Sequence, residues 1–116
     1  MDVIGYYTLS NVAINAAALP NDIRKRLGRY PVFPATLLGR LAVDSRFHSQ
    51  GFGKLLLINA LQRSYHNEIG SAFVVVDPID KNATTFYVKY GFQPLVDHEN
   101  RLFIPMGTIK ALLTRP

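Results

Sequence analysis

Between Thr36 and Tyr65 the chain passes from an apolar run into an amphipathic one through a loop with two closely spaced glycines, and few folds accommodate that junction. Thr36 to Val43 is apolar except at Arg40, which predicts a buried strand. After Gly53 the residues Leu55, Ile58, Leu61 and Tyr65 recur at helical spacing. The intervening Arg46-Phe47-His48-Ser49-Gln50-Gly51-Phe52-Gly53-Lys54 therefore joins a strand to a helix N-terminus. The first N–H groups of such a helix have no intrahelical acceptor and stand at the positive end of the aligned peptide dipoles. That end binds anions, phosphate above all. Gly51 and Gly53 lack the Cβ atoms that would hold a phosphate away from those groups.

Spacing rejects two familiar phosphate loops. A P-loop needs Gly-x-x-x-x-Gly-Lys-(Ser/Thr), whereas Lys54 is followed by Leu55; the dinucleotide fingerprint needs a third glycine where Leu56 stands. A second segment, Asn82-Ala83-Thr84-Thr85-Phe86-Tyr87-Val88-Lys89-Tyr90-Gly91-Phe92, follows the buried run Ala72 to Val76. Ala83, Phe86 and Tyr90 share one helical face, and Gly91 stands where a left-handed C-terminal cap is wanted. By periodicity alone Tyr87 is a packing residue on that helix.

Taken together, the first loop resembles motif A of the GNAT superfamily, the Gcn5-related N-acetyltransferases. Its pattern is (Gln/Arg)-x-x-Gly-x-(Gly/Ala) after a strand like Leu41-Ala42-Val43, with His48 here at the Gln/Arg position. The second segment resembles motif B, with its alanine slightly offset. Three more segments resemble the GNAT toxins of bacterial toxin–antitoxin pairs, which acetylate aminoacyl-tRNA. These are Val3-Ile4-Gly5-Tyr6-Tyr7-Thr8-Leu9-Ser10, Leu38-Gly39-Arg40-Leu41-Ala42-Val43-Asp44 and Arg101-Leu102-Phe103-Ile104-Pro105-Met106.

The resemblance implies an α/β fold, a mixed central sheet flanked by helices, over one domain, 1–116. It also implies acetyl-CoA as acyl donor, held by Leu41, Ala42, Val43, His48, Ser49, Gln50, Gly51, Phe52, Gly53, Lys54, Asn82 and Phe86. Tyr87 takes the place of the general acid beside the thioester sulfur, and a bulge that splays Leu41 to Val43 from the next strand would leave backbone donors for an oxyanion. Aminoacyl-tRNA is the implied acceptor; its α-amino group titrates near about 8 and needs no strong base. A ribbon-helix-helix antitoxin is the implied partner. GNAT domains open with a strand, two helices and a second strand ahead of the segment matching Val3 to Leu9, so the resemblance implies a chain shortened at its N-terminus. Its first strand would then seek a partner edge, as in a homodimer. Two other functions stand beside this one: acetylation of a small amine or protein terminus, and a shortened inactive domain that binds CoA or an antitoxin.

Composition narrows the classes further. A chain of 116 residues with 48% hydrophobic content can bury a core as one unit. Thirteen basic against eight acidic residues give +5, which suits an anionic ligand, though no basic run traces a nucleic-acid strand. The absence of cysteine removes a thiolate nucleophile and a zinc ribbon; no metal site is readable. No apolar stretch is long enough to span a bilayer, so a cytoplasmic protein without membrane attachment is expected. His66 and His98 lie in polar stretches and read as solvated surface residues. Arg40 is either a solvent-facing position or a charge directed at a site. Lys54, Arg46, Lys81 and Lys89 surround the two motifs and read as a scattered basic surface, within reach of phosphates.

The expected element order is strand Val3 to Leu9, loop Asn11 to Pro20, helix Asn21 to Gly28 and strand Thr36 to Val43 after breaks at Pro31 and Pro34. A helix from Gly53 to about Asn67 follows, then strand Ala72 to Val76 and helix Asn82 to Tyr90. A strand pair around Val96 and Arg101 to Ile104 and a last turn at Thr108 to Leu112 close the chain.

Overall fold

The structure is a computed structural model that describes residues 5–48, 50–67, 70–96 and 100–114. Val3, Ile4, Ser49 and His98 lie outside the described residues. Strands β1 (Gly5–Asn15), β2 (Val32–Val43), β3 (Phe73–Val76), β4 (Gln93–Pro94) and β5 (Leu102–Pro105) form one sheet in the order β1-β2-β3-β5-β4. Helix α1 (Asn21–Leu27) links β1 to β2, and α2 (Phe52–Tyr65) links β2 to β3. Helix α3 (Lys81–Lys89) follows β3, and α4 (Met106–Leu113) follows β5. Only β2 and β3 pair in parallel, across the α2 crossover; the other pairings are antiparallel. The expected mixed sheet with flanking helices is what the chain builds.

Two apolar layers cover the two faces of the sheet. Val74 and Val76 of β3 pack with Leu57, Ala60 and Leu61 of α2, Tyr87 of α3 and Ile109 of α4. Phe73 and Val75, one residue out of phase, pack with Ile23 of α1 and with Phe33, Ala35 and Phe103. All four residues of β3 are thus buried, which explains its continuous apolar sequence. The buried side of α2 is Leu57, Ala60, Leu61 and Ser64, while Leu55 is 62% exposed. Four consecutive aliphatic residues, Leu55 to Ile58, satisfy more than one helical stripe, so spacing alone selects the wrong starting residue.

Other elements differ from their expected extents. β1 continues past Leu9 to Asn15 because its buried side changes: Tyr7 and Leu9 pack on the α2 layer, Val12 and Ile14 on the α1 layer. The phase break at Ser10-Asn11 looks like a strand end. Pro34 does not interrupt β2. The parallel ladder to β3 begins at Ala35, so the missing N–H falls where no partner stands, and the Pro34 carbonyl accepts the Ala72 N–H at 2.8 Å. Pro20, not Asn21 or Asp22, occupies the N-cap of α1. The short β4 pairs at Gln93 and Pro94 rather than around Val96, whose N–H leaves the sheet for the Ala18 carbonyl at 2.7 Å.

α3 starts one residue before Asn82 because Asp80 caps it: its Oδ1 accepts the Ala83 N–H at 2.8 Å. Replacing Asp80 by Ala is expected to lower stability by about 0.5–2 kcal/mol in urea denaturation, and Asp80→Asn to recover most of the loss.

Candidate active site

β2 and β3 share only three register pairs, Ala35 with Phe73 through Leu37 with Val75. Beyond Leu37 the two strands part, and Leu38 to Val43 stay paired to β1 alone. On that other edge β2 bulges: the register passes from Tyr6 opposite Ala42 to Thr8 opposite Gly39, so Arg40 and Leu41 together face Tyr7. Among the described residues Arg40 is the one non-glycine with positive φ, at 48°. A left-handed arginine stores on the order of 1–2 kcal/mol. No residue preference in the sequence signals it.

The gap between the strands is walled by α3 and opens into two clefts. One, about 450 Å³, runs from Leu41 and Val43 past Phe47, His48 and the start of α2 to Ala83, Phe86, Tyr87, Lys89 and Tyr90. The other, about 600 Å³, is bounded by Tyr6, Leu37 to Ala42, Asp77, Ile79, Ala83 and Tyr87. The clefts share three residues, Leu41, Ala83 and Tyr87. A slightly larger cavity, about 640 Å³, lies at the other end of β3 between α1 and α4; its lining is apolar apart from Arg26 and Thr108, and offers no acid or base.

Within the first cleft the loop after β2 is braced by its own side chains. Asp44 accepts from the Arg46 backbone N–H at 2.9 Å and from its guanidinium at 3.1 Å on each carboxylate oxygen, and these bonds hold its carboxyl below the usual value. The His48 ring donates from Nε2 to the Val43 carbonyl at 2.8 Å, tying the loop back to the strand end. Gly51 is the N-cap of α2, with φ of 82° and no side-chain bond. Its role is this left-handed turn, since a Cβ there would meet nothing within 4 Å. The first helical bond is Leu55 N–H to the Gly51 carbonyl, leaving the N–H groups of Phe52, Gly53 and Lys54 without an acceptor among the described residues. Gly53 faces α3, where a Cβ would rest 3.7 Å from the Phe86 ring in ordinary contact.

Tyr87 is 7% exposed, with its ring between those of Phe86 and Phe92. Its hydroxyl bonds to none of the described residues, yet among those residues no buried polar side-chain atom is unpaired, so the oxygen itself reaches the cleft surface. Burial pushes its pKa above the ordinary 10.0. At neutral pH it is a protonated donor.

Of the residues singled out by sequence, Leu41, Val43, His48, Gly51, Phe52, Gly53, Lys54, Phe86 and Tyr87 meet in the first cleft, and Ala42 lines the second. Gln50 lines neither cleft; its side chain donates to the Arg46 carbonyl at 3.4 Å. Asn82 is exposed on α3 and lines neither. Phe47, Ala83, Lys89 and Tyr90 join the first cleft without having been singled out as site residues. Helical spacing had already put Ala83 and Tyr90 on one face with Phe86, and that face is the one that walls the cleft. In the second cleft, Asp77 is held by Arg101 through two bonds of 2.8 Å, a pairing that sequence separation conceals.

Comparison with known proteins places the fold that carries these clefts. Residues 33–109 match the family model of the acetyltransferase (GNAT) domain. The chain belongs to the GNAT family. It is 32% identical to a probable toxin TacT of Sinorhizobium fredii over 96% of its length and 31% identical to a tRNA-acetylating toxin of Mycobacterium tuberculosis over 96%. It spans 66% and 67% of those relatives, about two thirds of each. Among solved structures, AtaT complexed with acetyl-methionyl-tRNAfMet superposes with a TM-score of 0.86 at 35% identity, covering 96% of this chain and 67% of that one. A tyrosine-to-phenylalanine variant of KacT superposes with a TM-score of 0.85 at 31% identity, covering 94% and 66%. Among the described residues of this GNAT chain, no helix is long and apolar enough to cross a membrane.

The raised pKa of Tyr87 has a stability consequence. The folded state keeps the phenolic proton to higher pH than the unfolded chain, so the associated stability is whole below 10.0 and declines as pH rises through the folded value. Unfolding midpoints followed across the alkaline range should fall more steeply for the native chain than for Tyr87→Phe.

Proposed function

We propose that this chain is an acetyl-CoA-dependent N-acetyltransferase of the toxin type, acting on the α-amino group of aminoacyl-tRNA. The observation that carries the reading is the meeting of two clefts at Leu41, Ala83 and Tyr87. One cleft has the features of a phosphate-bearing donor site, and the other is open to an acceptor. The free N–H groups of Phe52 to Lys54, with Lys54 and Lys89 beside them, suit the pyrophosphate of CoA. His48 holds the loop in shape through the Val43 carbonyl and lines the same cleft.

Acetyl-CoA supplies an activated acetyl group as a thioester. The backbone of Leu41 to Val43, released from β3, faces the place where an oxyanion would develop. Tyr87, protonated at cellular pH, donates its phenolic proton to the departing thiolate. The acceptor amine, titrating near about 8, is sufficiently neutral to attack without a dedicated base.

Support for the tRNA acceptor comes from the relatives: one is a tRNA-acetylating toxin, and AtaT has been captured with acetyl-methionyl-tRNAfMet. AtaT has also been solved with its antitoxin AtaR and acetyl-CoA, and KacT as a KacTA–DNA complex. An antitoxin, of ribbon-helix-helix type, is accordingly the partner we assign. A homodimer pairing the open edge of β1 and a cytoplasmic location belong to the same reading.

Two measurements test it. Tyr87→Phe should slow transfer to charged tRNA by about a hundredfold or more while calorimetric CoA affinity stays unchanged. Gly51→Val combined with Gly53→Val should weaken CoA binding at least about tenfold in a chain that still folds, through strain at the left-handed cap. Failure of the unsubstituted chain to acetylate charged tRNA while it acetylates free amines refutes the tRNA assignment.

A further inference from the structure

The end of α3 is built around Tyr87. The Gly91 N–H donates to the Val88 carbonyl at 3.1 Å, and the Phe92 N–H donates to the Tyr87 carbonyl at 3.2 Å, with Gly91 at φ of 104°. This pair of reversed bonds closes a loop from the backbone of Tyr87 to that of Phe92. The same two residues meet through their side chains, ring centroids 5.3 Å apart and planes at 62°. Phe86 approaches the Tyr87 ring at 5.3 Å and 75°. Phe92 is itself 3% exposed within the α2 layer, so it cannot yield without disturbing that core.

We infer that Phe92 is a positioning residue for Tyr87, and that the left-handed Gly91 makes this possible by turning the chain so that Phe92 folds back on the tyrosine three positions into the helix. The inference rests on the acid role proposed for Tyr87. A phenolic side chain has two soft torsions, and the edge contacts of Phe86 and Phe92 leave the ring one seat, with the hydroxyl directed to the gap. A displacement of roughly 1 Å at a reacting group can cost about a hundredfold in rate. Gly91 contributes through backbone conformation, because a Cβ would meet Ile104 Cδ1 and Thr108 Cγ2 only at 3.5 and 3.8 Å.

The test uses the full chain with acetyl-CoA and charged tRNA, and compares Tyr87→Phe, Phe92→Leu, Gly91→Ala and the double variant Tyr87→Phe with Phe92→Leu. Expected is a loss of about tenfold or more in kcat for Phe92→Leu and Gly91→Ala, with KM and calorimetric CoA affinity within about twofold of the native values. The double variant should be no slower than Tyr87→Phe alone, since a hydroxyl already removed cannot be misplaced. A further multiplicative loss in the double variant, or a fall in CoA affinity parallel to the rate, overturns the positioning role in favour of general packing. A native rate in Tyr87→Phe refutes the acid role itself, whereas a slow Tyr87→Phe beside native Phe92→Leu and Gly91→Ala rates refutes only the inference about Phe92. Should Phe92→Leu fail to fold, Gly91→Ala, alone and combined with Tyr87→Phe, carries the same comparison.

Discussion

Three residue pairs of parallel sheet, Ala35 to Leu37 against Phe73 to Val75, hold the β1–β2 half of the molecule to the half built on β3 and β5. The ladder stops at Leu37 and Val75, one residue before β3 ends, while β2, kept in line by β1, runs on for six more residues. Backbone groups beyond Leu37 thereby lose their neighbour on one side, which in a sealed core would be costly. Here α3 stands off and leaves clefts, so those groups face open space rather than a sealed core. The cost of an incomplete sheet and the existence of a site have one origin.

Electrostatics in the first cleft follows from what is internally cancelled. Asp44 and Arg46 neutralise one another in the turn after β2, and Asp77 and Arg101 do so at the end of β3. What remains facing the first cleft is Lys54, Lys89 and the positive end of α2. These groups are open to solvent, and at physiological salt their influence extends only about 8 Å. Their contribution is therefore local to a bound phosphate, and the overall charge of +5 acts on approach rather than on seating.

Much of this was legible in the chain. Gly28 and Gly91 read as helix ends, and both adopt positive φ; Gly51 read only as room for a phosphate, yet it too is left-handed. The alternation of strand and helix gave the mixed sheet, and motif spacing collected most of the lining of the first cleft. What stayed hidden depends on contacts distant in sequence. The edge of β3 decides whether Pro34 is a breaker, and the two layers decide where β1 ends. Among four adjacent aliphatics in α2, only packing selects Leu57. The bulge at Arg40 is the extreme instance, since arginine has no preference for the left-handed region and the residue adopts it where the register with β1 shifts. Asn82 drew attention through its place in a motif, but the capping of α3 belongs to Asp80.

The change of buried side along β1 has a further effect, on errors of pairing. In a strand whose apolar residues all face one way, a two-residue slip against its neighbour keeps each side chain on its original face and can go unpunished. In β1 the inner residues Tyr7 and Leu9 belong to one layer and Val12 and Ile14 to the other, so the crossover at Ser10-Asn11 must coincide with one point on β2. A slip by one residue inverts both halves together; a slip by two carries the crossover past the place where α1 takes over from α2 as the covering helix. The strand is in this way keyed to a single alignment, and an insertion or deletion within it would be felt on both sides of the sheet at once.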